Sequence, residues 1–128
     1  MHTIYKVVSR KQGSLWSCST RAPNFMLFYS EQQWMTIPIG LSFVFIDQEA
    51  AKDFLSVAWT RFNHLELWQA ESQDEPQQLP GMAKRWDWLE LFWEAHAQKD
   101  VTLLAELCQP CPETYFGVKT IRLVNRLH

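Results

Sequence analysis

Three sets of residues in this sequence have types and spacings that could do chemistry. The first is Cys108-Gln-Pro-Cys111, the spacing at which two thiolates share a metal or form a redox pair. A structural zinc needs two further ligands. Cys18 with one of His2, His64, His96 or His128 would have to reach the pair through the fold, because no second C-x-x-C and no H-x-x-x-H is present. The pair does not follow a strand and open a helix, as a thioredoxin-type motif does. Cys108 and Cys111 are therefore expected to be reduced and free of metal, and no cofactor is expected.

The second set is aromatic and basic: Arg85, Trp86, Trp88, Phe92 and Trp93, within a stretch read as a helix over 83–98. At about 100° per residue, Trp86, Leu89 and Trp93 share one stripe, and Arg85, Trp88 and Phe92 share a neighbouring one. One stripe suffices to pack on a sheet. The other is expected to leave Trp88 or Phe92 partly exposed beside Arg85, which is the composition of an interface core. Asp87, Glu90 and Glu94 on the same helix would repel phosphate, so a protein partner or a second copy of the chain is the expected contact.

The third set is Arg10, Ser17, Ser19, Glu66 and Glu71, a base, two hydroxyls and two carboxylates on three expected strands. Nucleophilic or transfer chemistry would need these groups oriented on one another. Their order along the chain resembles the Arg, Ser and Glu elements of the ADP-ribosyltransferases, which implies a small transferase or nucleotide-binding enzyme as the alternative function. The paired Glu-x-Glu of that family is absent here. Gly13, Gly40, Gly81 and Gly117 stand alone, so no phosphate-cradling loop is expected.

The elements that must position these sets follow from periodicity. Ile4 to Ser9 and Ser14 to Thr20 read as strands around the polar turn Arg10-Lys11-Gln12-Gly13, Phe25 to Tyr29 as a short strand and Leu41 to Ile46 as the most hydrophobic one. Asp47 caps a helix to about Thr60 whose apolar residues Ala50, Ala51, Phe54, Leu55 and Ala58 recur at three- and four-residue steps. His64 to Glu71 returns to the sheet and 72–81 is an exposed loop with two prolines. The helix over 83–98 comes next, then a short helix from Val101 to Leu107, a Pro-containing turn and a closing strand from Phe116 to Leu127. The expected fold is α+β, one domain over 1–128, with a curled, mostly antiparallel sheet and two main helices packed on it.

Composition narrows the function classes. The chain has 128 residues, seven of them Trp, and a formal charge of −2, so no overall field holds a polyanion and nucleic acid is disfavoured. No apolar run approaches the length of a membrane span, and the first residues lack the apolar core of a secretory signal, which together predict a cytoplasmic protein away from membranes. The segments Tyr5-Lys6-Val7-Val8, Gly40 to Phe45 followed by Glu49-Ala50-Ala51 and Phe54, and Glu66 to Glu71 resemble, in that order, a scattered family of small bacterial and phage proteins with no assigned activity. That resemblance implies a shared α+β core and no site. A non-catalytic protein-interaction domain is the leading expectation.

Overall fold

A computed structural model describes residues 1–17, 27–58 and 64–128, with only the backbone of Trp86. The described elements are β1 (His2–Lys11), β2 (Ser14–Ser17), β3 (Phe28–Tyr29), β4 (Met35–Thr36), β5 (Ser42–Val44), α1 (Gln48–Ala58), β6 (Leu65–Ser72), β7 (Gln77–Gln78), β8 (Met82–Ala83), α2 (Leu89–Ala97), α3 (Val101–Leu107), β9 (Cys108–Gln109), β10 (Phe116–Val118) and β11 (Thr120–Arg126). The fold is mixed α+β, and the ladders between the described strands are antiparallel, with an isolated parallel bridge between Glu31 and Leu123.

The strand order β3-β2-β1-β6-β11-β4 forms the larger sheet and β5-β10-β7 a smaller one. Tyr5 joins them, exchanging both backbone hydrogen bonds with Phe45 at 2.8 and 2.9 Å. β1 therefore pairs with β2 at one end and with Phe45 at the other along the same edge, so the sheet curls around its own concave face. The β1–β2 hairpin turns on Gln12 and Gly13, both at positive φ (52° and 81°), the two-residue turn whose twist matches the strands.

Register decides which residues face inward. Lys6 lies opposite Trp68, Val8 opposite Glu66 and Ile4 opposite Ala70, so these share the concave face. Ile4, Val8, Leu15, Tyr29, Trp68 and Leu123 pack there as one core cluster. Val7, Leu65 and Leu67 point the other way, under α1, and bury Ala51, Leu55 and Ala58. Asp47 caps α1 as expected, its carboxylate accepting from the Glu49 N–H at 3.1 Å. Phe54 is only half-buried, its ring 5.5 Å from Phe43 and 5.4 Å from Phe45. The continuation of β2 to Thr20, residues 25 and 26 of the expected third strand, and the extension of α1 to Thr60 lie outside the described residues.

Three expectations are corrected. The helix read over 83–98 starts later: Met82–Ala83 pairs with Cys108–Gln109, Trp86–Trp88 is a single 3-10 turn, and the α-helix proper is Leu89–Ala97. A backbone ladder to a distant strand overrides helix propensity at Ala83. The loop over 72–81 contains β7, held against β10. The closing strand splits between the two sheets at Lys119, whose N–H, together with that of Thr120, donates to the Asp74 carboxylate at 2.8 Å each. α3, whose first turn is capped by Asp100, is the short helix expected from Val101 to Leu107 beside the two main ones.

Asp74 is thus a structural acceptor, taking hydrogen bonds also from the Thr120 hydroxyl at 2.6 Å and the Ser72 hydroxyl at 2.9 Å. Burial pushes its carboxyl up, but these four donors outweigh burial and hold it below the usual aspartate range. Its stabilisation is complete above the unfolded-state value of about 3.9 and is lost as pH falls through the lower folded-state value. Asp74→Ala is expected to cost about 1–2 kcal/mol at neutral pH, read from urea midpoints. A variant as stable as the parent would remove Asp74 from this role.

Candidate functional site

The apolar run Ile4-Tyr5-Lys6-Val7-Val8 carries one charge, and its parity puts that charge inside the curl. Lys6 is 5% exposed. Its Nζ donates to the Phe43 carbonyl at 2.6 Å and lies 5.4 Å from the Tyr29 ring centre and 5.9 Å from that of Phe43. The chain's fourteen acidic side chains all fall in described residues, and none forms an ion pair with Lys6. Cation–π contacts offset about 1–2 kcal/mol, less than the several kcal/mol needed to take an ammonium out of water.

Lys6 borders a cavity of about 130 Å³ beside β1, lined by Val7, Phe45 and Phe54 from the α1 side and by Leu89 and Trp93 of α2. Leu41, Phe43, Met82, Leu89 and Trp93 make the walls apolar, while Ser17, Tyr29 and Ser42 add hydroxyls. The Tyr29 and Ser42 hydroxyls lie 2.9 Å apart, and Ser17 Oγ accepts the Leu27 N–H at 3.0 Å. Gly40 seats the wall: at φ +71°, any Cβ there would clash with the Trp93 indole, so the backbone and the ring lie in contact.

The aromatic helix divides its residues between this pocket and the surface. Phe92 is 2% exposed, so its assignment to a contact surface is corrected: α3 packs back on α2, and Phe92 and Ala95 are buried. Trp93 is half-buried against Gly40 and lines the pocket instead of a partner surface. Trp88 remains half-buried, with the exposed Arg85 guanidinium 5.3 Å above its ring and paired to Asp87 at 2.9 Å. Leu91 is 49% exposed. The Trp86 side chain lies outside the described residues.

The alternative catalytic set is brought together only in part. Arg10 and Glu66 meet as a bidentate ion pair on the concave face, where Glu66 also accepts from Trp68 Nε1 at 3.0 Å and faces Arg126 at 3.6 Å. Burial pushes Glu66 up, and the hydrogen bonds from Arg10 and Trp68 with the charges of Arg10 and Arg126 bring it down to a net value below the ordinary glutamate range. Ser17, opposite Val8, faces the same side. Glu71 lies opposite Thr3 on the other face and pairs with Arg122 at 2.8 Å, so it cannot join Arg10 and Ser17. Ser19 lies outside the described residues.

Cys108 and Cys111 are unpaired and half-buried. Burial, with the nearby Cys108, pushes the Cys111 thiol up, away from the reactive thiolate. Among the described residues no three His, Cys, Asp or Glu side chains are placed to hold a metal ion, and no helix is long and apolar enough to cross a membrane.

Sequence reasoning did not single out Lys6, Tyr29 or Ser42. A lone lysine at the parity of Ile4 and Val8 was the available signal. Compared with protein families, curated proteins and solved structures, the chain matches none.

Proposed function

We propose that this chain is a non-catalytic binding domain and that its binding element is the pocket bordered by β1, α1 and α2, with a small, largely apolar molecule as occupant. One observation carries the reading: an apolar cavity has the buried Lys6 amine, with no acidic partner, in its wall. The aromatic richness noted in the sequence serves the pocket through Phe43 and Trp93.

Neutral indole tests it. For so few atoms a dissociation constant of about 0.1–1 mM is expected, with a rise in thermal midpoint that grows with indole concentration. Met82→Trp, which fills the cavity from β8, should abolish that response while remaining folded. Absence of any response in the parent protein at millimolar indole would refute a binding pocket.

A second reading places a protein contact at the start of α2, favoured by Arg85 stacked over Trp88 in the preceding turn and by the exposure of Leu91 on the helix. A two-fold contact with a second copy needs only one such patch. Trp88→Glu is expected to remain folded and to lose self-association in sedimentation. Unfolding would assign Trp88 to the core and end this reading.

A further inference from the structure

Resting on the pocket reading, we infer that the occupant is a compact apolar monoanion, a carboxylate on one aromatic ring or a short branched chain, and that Lys6 is its charge partner.

Charge comes first. An ammonium in an apolar wall is costly unless an anion meets it, and this chain offers none: no acidic side chain forms an ion pair with Lys6. The Phe43 carbonyl takes one of the three N–H donors. The rings beside Nζ, those of Tyr29 and Phe43, are themselves pocket walls, so the remaining donors are at the cavity. A carboxylate there would neutralise the charge and satisfy the donors together.

Size and polarity come next. A volume of about 130 Å³ is close to that of a cavity holding one benzene ring, of order 150 Å³. A phosphate ester or nucleotide would bring two charges and many acceptors to walls made of Leu41, Phe43, Met82, Leu89 and Trp93, which leave such groups unpaired. A single carboxylate matches the single ammonium. Ser17, whose Oγ already accepts from Leu27, keeps its hydroxyl proton to donate.

Phenylacetate, 2-phenylethanol and phenethylamine share one ring and differ in charge, so they separate this inference from the pocket reading. Dissociation constants are measured by ligand-observed NMR on the parent chain and on Lys6→Met. The parent is expected to bind phenylacetate about tenfold tighter than 2-phenylethanol, and phenethylamine weakest. Lys6→Met should bring the acid-to-alcohol ratio to about one. Without ligand its thermal midpoint should equal or exceed the parent's, because a buried charge has been replaced by an apolar chain of similar length.

Equal binding of acid and alcohol by the parent overturns the charge inference and leaves the pocket standing, whatever the variant does. Retention of the tenfold preference in Lys6→Met overturns it too, as does a large loss of stability in that variant, which would make Lys6 a structural residue. Failure of all three probes to bind the parent overturns the pocket itself.

Discussion

Phe45→Ala is expected to lower the unfolding free energy by about 3–5 kcal/mol, and Phe54→Ala by only about 1–3 kcal/mol. Phe45 is 1% exposed. Its ring lies 5.0 Å from Phe43 and 5.4 Å from Phe54, and it meets Tyr115 edge-on at 5.7 Å. Truncation removes all three aromatic contacts and leaves a cavity that a closed ladder cannot collapse, since the Phe45 backbone is tied to Tyr5 on both sides. This residue also joins the two sheets. Phe54 belongs to the same cluster, but it is half-buried and borders the pocket, so its truncation enlarges an existing opening instead of creating a closed cavity. Domains of this size are stable by about 5–15 kcal/mol, so the first change uses a large part of the margin. Urea unfolding of both variants checks the order, and a Phe54→Ala loss equal to or above that of Phe45→Ala would reverse the assigned faces.

Elements whose evidence is local were legible in the sequence. Asp47 and the spacing of Ala51, Leu55 and Ala58 are sufficient for α1, and the polar stretch from Arg10 to Gly13 between two apolar runs is sufficient for the first hairpin, although Arg10 and Lys11 continue β1 and the turn itself is Gln12-Gly13. Met82 and Ala83 are extended only because Cys108 and Gln109 come to pair with them, and no local pattern carries that information. Phe92 failed as a surface residue for the same reason, since α3 packing back on its helix is a tertiary event. The candidate site was half visible. Arg10, Glu66 and Ser17 do share a face, as their strand parities allow, but Arg10 and Glu66 are occupied with each other. Lys6 escaped notice because a single lysine in a strand looks like a solvated edge until register shows which face is enclosed.

The Arg10–Glu66 pair has its own consequence for acid stability. Glu66 is 3% exposed and accepts from both Arg10 and Trp68, with Arg126 at 3.6 Å, so its carboxylate is the charge around which this end of the curl is organised. Glu66→Gln keeps one acceptor oxygen for Arg10 but removes the charge, leaving the exposed Glu31 at 3.4 Å as the anionic partner and the Gly13 carbonyl at 3.0 Å as a neutral one. Breaking a fully buried pair costs about 3–5 kcal/mol, but Arg10 is about one-third exposed (32%) and recovers some hydration, so about 2–3 kcal/mol is expected at pH 7. Because the folded-state carboxyl titrates below its unfolded value of about 4.3, the wild-type stabilisation is complete above that value. It fades as pH falls through the folded-state value, where the glutamic acid becomes as neutral as the glutamine. The gap between parent and variant should therefore be flat from pH 7 to about pH 5 and narrow towards pH 3, with Asp74 and the other carboxylates cancelling because both proteins carry them. Urea midpoints at pH 7, 5, 4 and 3 measure it. A gap that stays constant to pH 3 would mean that packing of the side chain, and not its charge, holds Arg10 and Trp68 in place.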